Sequence, residues 1–451
     1  MRRLLIVILS LLCVTAFKKP VEQASWVRVN LLGYLPEGGK VAVWCSKGNT
    51  ILTEFSIVDV LSGQPVFKST TIQNFGAYGP FARTARLDFS ALKASGRYVI
   101  IAGGITSPEF TIANDVYKGA ADFCLRYMRQ QRSGFNPFLK DSCHTYDGYT
   151  LYGPMPDSTR IDAVGGWHDA SDYLQYVTTS ANATWHLLAA YRDFPAVFSD
   201  HHQGNGLLGK NGRADILDEA KWGMDWLLKM HPADDIMFNQ LGDDRDHRGM
   251  RLPKLDSFYG RGYERPVYFL TGKPQQQGKK LNLTTGAAST AAKFTSAFAL
   301  GHQLLRNTDT TYAELIRKKS LSAYAYGKSR PGYAQTASVL SPYVYAEQNW
   351  TDDMELAAAS LFAQTKEKDY LKDAEAFAKQ EKITPWLGKD TAAHYQWYPF
   401  INQGHYELAK LSSSKKQKQI TGYYKQGINA VWNKAKQNAF FRGVPFIWCS
   451  N

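Results

Sequence analysis

Cysteine is scarce in this chain, with five residues in 451, too few to be a disulfide-stapled scaffold. There is no internal repeat of fixed period and no low-complexity tract, which sets aside solenoids, propellers and long linkers. Long apolar runs are missing too. The N-terminal one, Leu4 to Ala16, falls short of the ~20 residues a membrane-spanning helix needs. Acidic residues are the scarcer charge, 40 against 53 Lys and Arg, for a formal net charge of +13. Such a balance indicates nucleic-acid binding only when the positives gather on one surface. Here Arg2, Arg3, Lys18 and Lys19 flank the N-terminal apolar run and others are scattered. The one cluster, Lys415-Lys416-Gln417-Lys418, lies in a Ser-rich turn between two helical patterns, where a solvated loop is expected. Nucleic acid is not an expected partner.

What is present begins with an export signal. Met1-Arg2-Arg3, the apolar stretch behind it and the small residue Ala16 form the basic, apolar and exit regions of a secretory signal over residues 1–16. Cys13 follows Leu12, unlike a lipoprotein cysteine. The mature chain is expected to be secreted or periplasmic, keeping Cys45, Cys124, Cys143 and Cys449. Its length exceeds what one core usually serves, so two domains are expected.

The first of them, residues 25–113, reads as a β-sandwich. Val27–Leu31, Val41–Trp44, Phe55–Val60, Ala85–Phe89 and Tyr98–Ile101 are short β-branched and aromatic runs between Gly, Asn and Pro turns. At Asn114-Asp115 the period changes. Helical patterns follow over 116–132, 171–193, 213–230, 287–306, 309–327, 352–365, 368–381, 400–411 and 418–434. In the first, Ala120, Phe123, Cys124 and Met128 form the apolar stripe; in the third, Ile216, Ala220, Gly223 and Leu227 do. Successive helices without strands predict a helical barrel or bundle over 114–451. A long polar loop, Leu241 to Thr285, is expected to be an ordered cleft wall. Its Asp243, Asp244 and Asp246 fit either a Ca2+ site or ordinary surface charge.

The chemistry centres on Gly165-Gly166-Trp167-His168-Asp169-Ala170-Ser171-Asp172-Tyr173. Asp169 and Asp172, three apart on a first helical turn, would project on one face and share a water molecule. The alternative is that they only cap a helix. The segment resembles the Gly-Gly-Trp-x-Asp-Ala-Gly-Asp motif of glycoside hydrolase family 9, the cellulase family built on an (α/α)6 barrel, with Ser171 in place of the usual Gly. The opening Val27-Arg28-Val29-Asn30-Leu31-Leu32-Gly33-Tyr34-Leu35-Pro36 also looks like the start of the immunoglobulin-like module found in one branch of that family. The resemblance implies an immunoglobulin-like β-sandwich followed by an (α/α)6 barrel. It implies inverting hydrolysis of β-1,4-glucans such as cellulose, xyloglucan or mixed-linkage glucan, with Asp172 as general base and Asp169 as its helper.

Two family features are absent from the last part of the sequence: the Asn-Glu-x-x-x-Asp motif carrying the general acid, and a His-Arg pair upstream of it. Nine helical patterns are visible where a complete barrel needs twelve, so the chain reads as truncated near Pro445–Asn451. The alternative function is therefore a truncated or degenerate relative that binds glucan without turning it over. Glu347 and Glu355 are the remaining candidates for the acid, although Asp352 and Glu355 fit a capping box opening the helix at 352–365.

A second constellation is Cys124, Cys143-His144 and His168, the N/S donor set that Zn2+ prefers. A Cys124–Cys143 disulfide or unrelated buried thiols are the alternatives. Some family members with the immunoglobulin-like module look the same at these four positions, which implies a structural Zn2+ pinning the catalytic turn to the first helix. For sugar contacts, aromatic faces and imidazole donors are offered by Trp350, His394, Trp397 and Tyr398; core packing is the other reading of each.

Overall fold

A computed structural model describes residues 24–169, 173–247, 249–256, 264–275, 281–340, 347–381 and 403–443. The expected signal at 1–16, Asp172, His394, Trp397, Tyr398 and the ending at 445–451 lie outside the described residues. The chain forms two compact units, one reaching to Lys118 and taking in Asn433–Gly443, the other running from Gly119 to Trp432.

The first unit is an antiparallel sandwich. One sheet runs in the order β1 (Ser25–Arg28), β2 (Val41–Ser46), β6 (Phe81–Asp88), β5 (Ile72–Tyr78). The other has β4 (Pro65–Ser69), β3 (Phe55–Asp59), β7 (Gly96–Ala102) and β8 (Ile105–Thr106) in order, with β9 (Phe110–Ile112) also on β7. Period-two alternation sends Val27, Ala42, Trp44, Ala85 and Leu87 inward from one sheet and Phe55, Ile57, Tyr98, Ile100 and Phe110 from the other. Strands β4 and β5 are not evident from the pattern because both are edges. Pro65 can start only an edge strand, and β5 shifts register at Gly76, whose φ of 75° suits glycine. Arg86 of β6 stacks between Phe75 and Phe441 and donates to the carbonyls of Ala435 (2.9 Å) and Ala439 (3.2 Å). These contacts draw residues 433–443 into this unit.

The second unit is two-layered. α1 (Ala120–Gln130) leads into a hairpin, β10 (Gly134–Asn136) and β11 (Asp141–Cys143). Then come α2 (Val177–Asp193), α3 (Asp215–Met230), α4 (Ala288–Leu305), α5 (Thr310–Lys328), α6 (Thr351–Thr365), α7 (Lys368–Glu381), α8 (Gln403–Leu411) and α9 (Ser414–Ala435). Neighbours α2, α4, α6 and α8 pack side by side as an inner layer, while α3, α5 and α7 each cover the inner helix before them. The sequence of α4 explains its place: Ala, Ser, Thr and Phe on every face leave nearly the whole helix buried. By contrast α3 is amphipathic, and its predicted stripe Ile216, Ala220, Gly223 and Leu227 is buried. A small sheet, ordered β12 (Tyr149–Leu151), β15 (Pro266–Phe269), β14 (Phe238–Leu241), β13 (Gln175–Tyr176), runs directly into α2 through β13. No helix among the described residues is long and apolar enough to cross a membrane.

Several expectations are corrected. α1 turns Leu125 and Arg129 inward and leaves Phe123 and Cys124 exposed, because Arg129 and Arg132 are drawn to buried carboxylates of α3. The helix expected from 171 starts at Val177, since β13 precedes it and Tyr173 has a φ of 62°. The loop after Leu241 contains β15. Lys415–Lys418 lie on the first turns of α9, where Lys416 pairs with Glu375.

Candidate active site and metal cluster

The turn at Gly165 is held from both ends. Gly165 and Gly166 have φ values of 120° and 72°, and a Cβ on Gly166 would meet Trp226 and Gln175 at 2.7 Å, so only glycine fits. Trp167 then inserts against α3: a Cβ on Gly223 would fall 2.3 Å from its ring. Its indole N–H donates to Glu219 (2.7 Å), a carboxylate that also takes two donors from Arg132, at 3.1 and 2.7 Å. All three side chains are buried. Backbone bonds from Ser133 to Gly166 (2.9 Å) and from His168 to Gln131 (2.8 Å) tie the turn to the end of α1.

The far end is fixed by an ion pair. Arg265 and Asp147 are fully buried and joined by three contacts of 2.6–3.1 Å. Arg265 also donates to the Tyr173 carbonyl and to Gln175 (2.6 Å), whose amide returns to Gly165 (2.7 Å). Asp169 is half-buried in this frame. Its amide donates to Leu174 (2.7 Å), and its carboxylate accepts from the Thr179 hydroxyl on the first turn of α2 (3.4 Å). Asp169 therefore sits in a loop stapled to α2, rather than on a helical turn.

Cys143, His144 and His168 converge: their ligand atoms lie within 4.8 Å of one another, and all three residues are buried. His144 Nδ1 and His168 Nε2 are 3.2 Å apart, and His144 Nε2 meets Asp256 at 3.0 Å. Burial opposes ionisation of Asp256, but hydrogen bonds from His144 and Arg251 hold its pKa well below the usual carboxylate range. Burial keeps both imidazoles neutral by lowering their pKa values, that of His168 most. An ionised carboxylate only accepts, so His144 protonates at Nε2 and its Nδ1 lone pair faces the group. Burial raises the Cys143 thiol to about 11, a cost that a bound cation would relieve. The donor set thus fits a soft divalent metal. Cys124 is not in it: it lies exposed on α1, and neither it nor Cys143 is in a disulfide.

The remaining expectations divide. Asp243 accepts from Arg245 (2.6 and 2.7 Å) and Tyr268 (2.7 Å), Asp244 from the amides of Val339 and Leu340, and Asp246 pairs with Arg251. Their oxygens are taken by separate partners, and among the described residues they form no common Ca2+ site. Trp350 is the N-cap of α6 and packs edge-on against Phe377 of α7 (5.7 Å). Asp352 and Glu355 make no capping box. The helix starts one residue earlier, and Glu355 instead accepts from His405 (2.8 Å). Asp147, Arg265, Glu219 and Asp256 escape a sequence reading because the partners that tie them to the site lie 52 to 118 residues away.

The chain is similar to known proteins. The family model described as Glycosyl hydrolase family 9 matches residues 117–451, and one described as a cellulase N-terminal ig-like domain matches 22–107. A cellodextrinase of Butyrivibrio fibrisolvens is 28% identical over 86% of this chain and 67% of its own length. For a xyloglucan-specific endo-β-1,4-glucanase of Bacteroides ovatus the figures are 26%, 81% and 62%. Endoglucanase D of Acetivibrio thermocellus gives 24%, 84% and 57%. The chain thus spans between 57% and 67% of the length of these relatives. Among solved structures, a metagenome-derived family 9 endoglucanase superposes with a TM-score of 0.73 at 25% identity, covering 92% of this chain and 74% of its own. A zinc-binding triple mutant of another family 9 endoglucanase gives 0.71 at 21%, covering 91% and 74%.

Proposed function

Because this chain belongs to glycosyl hydrolase family 9, whose model matches residues 117–451, we propose that it is an exported enzyme that hydrolyses β-1,4-glucans with inversion. The observation that carries the reading is that the segments on either side of Asp172 are each pinned, Gly165–Asp169 to the end of α1 and to α3, and Tyr173–Gln175 to Arg265. Asp172 is the general base and Asp169 its helper, orienting one water for attack on the anomeric carbon. Asp169 suits that part because α2 holds it through Thr179. Trp350, His394, Trp397 and Tyr398 contact the glucan. The signal at 1–16 directs export.

Cys143, His144 and His168 would hold a structural Zn2+, which when bound supplies charge to keep the thiolate ionised and ties the β10–β11 hairpin to the turn. Asp256 and Arg251 orient His144 toward it.

A second reading is a relative that binds glucan without turning it over. One experiment separates the two. Reducing ends released from carboxymethyl cellulose and xyloglucan are measured for the chain and for Asp172→Asn, with binding to the same polymers followed in parallel. Release that disappears in Asp172→Asn supports the enzyme; binding by both without release supports the second reading; neither binding nor release removes both.

A further inference from the structure

A second buried polar cluster joins α4, α6 and α7. Lys293 of α4, whose side chain is 5% exposed, meets Glu347 (2.6 Å) and Asp353 (2.5 Å). Asp352 precedes Asp353 on the first turn of α6, and Glu381 closes the group from the end of α7. One oxygen of Glu381 accepts from Asn349 and Thr351, both at 2.7 Å. The second oxygen of Glu381, which is 5% exposed, has no hydrogen-bond partner among the described residues. Glu347 Oε2 and Asp352 Oδ1 are likewise buried and unpartnered.

Charge and donors do not balance here. Four carboxyl groups face one ammonium, so full ionisation would leave three uncompensated negative charges in a site with too few donors. A buried carboxylate oxygen without a donor pays its desolvation with no return. Either a cation or protons must make up the difference. The oxygens are not gathered for a cation: among the described residues, only Cys143, His144 and His168 are spaced for one.

We infer that this cluster is a proton-binding site, occupied at neutral pH, and that its deprotonation loosens the packing of α6 on α4 and the hold of Glu347 on α2. The link to α2 is direct. Glu347 Oε1 accepts from the Thr178 hydroxyl (2.7 Å), and the adjacent Thr179 is the partner of Asp169. Burial, partly offset by Lys293, raises Asp353 to about 7, and burial together with Asp353 lifts Asp352 well above the carboxylate range. Among the described residues the groups facing the site are Lys293 from α4, Asp352 and Asp353 from α6, Glu381 from α7, and Glu347; Glu355 of α6 lies beyond Glu381, paired with His405 of α8, and α2 offers a hydroxyl. A carboxyl group with a raised folded pKa contributes stability that is complete below its unfolded value of 3.8 and is lost as pH rises through the folded value.

The proton site belongs to the fold, so it can be tested without turnover. The thermal midpoint of the full chain, followed from pH 5 to 9, is expected to fall across neutrality. Asp352→Asn and Asp353→Asn, whose amides carry no charge at any pH, are expected to flatten that fall by about half or more. An unchanged slope in both variants overturns the inference. Should a variant fail to fold, infrared difference spectra of the unaltered chain between pH 6 and 9 decide. A carbonyl band of protonated carboxyl groups that is lost on raising the pH is expected, and its absence overturns the inference.

Discussion

Two buried polar networks of the helical unit differ in one respect, the count of donors against acceptors. Around Trp167, the Glu219 carboxylate receives three donors from Arg132 and the indole. Around Lys293, three carboxylate oxygens receive none from the described residues. Both networks are buried and both hold the segments that carry Asp169, yet one is satisfied with its charges ionised and the other only with protons added. Burial alone says little about a charged group; what matters is whether donors came with it.

The sharpest way to break this comparison is Glu219→Ala. It strands the buried Arg132 and the Trp167 N–H together, and is expected to cost about 3–5 kcal/mol in urea unfolding. Removing Glu347 should cost less, because its loss relieves repulsion as well as leaving Lys293 short of a partner. Gly223→Ala comes next, at about 1–3 kcal/mol, since the new methyl group collides with Trp167 and Thr184 at 2.3 Å. Asp256→Asn leaves the ligands in place but frees the His144 ring. It is expected to weaken Zn2+ binding by about 10–100-fold in competition with a chelating dye, without unfolding the chain. At the small end, Lys68→Ala removes an exposed pair with Glu54 and is expected to leave the thermal midpoint where it was.

Much of the fold was legible because it rests on local periodicity. The sandwich strands with clean alternation, β2, β3 and β7, stand within a residue or two of their expected places, as do the helices from α3 to α7. Expectations failed where a residue answered to something distant. Phe123 and Cys124 look like the inner face of α1, yet Arg129, a poor core residue by itself, turns inward because Asp215 lies there. Asp352 and Glu355 look like a capping box, yet each is engaged in the interior by groups from other helices. In the candidate site, the glycines, Trp167, Asp169 and the Cys-His pair could be picked out as a motif. Their supports, Glu219, Arg265, Asp147 and Asp256, could not.

The sequence by itself determined the two-unit order and the family, since alternation, helical periodicity and a motif of glycines and carboxylates at fixed spacing are properties of neighbours along the chain. Tertiary structure decided which charged groups are paired. It brought Asp256 to His144 across 112 residues, left Cys124 at the surface, and set Lys293 among four carboxyl groups. The physical reason is that a hydrogen bond or an ion pair depends on a few ångströms of separation, which only packing of distant segments can set.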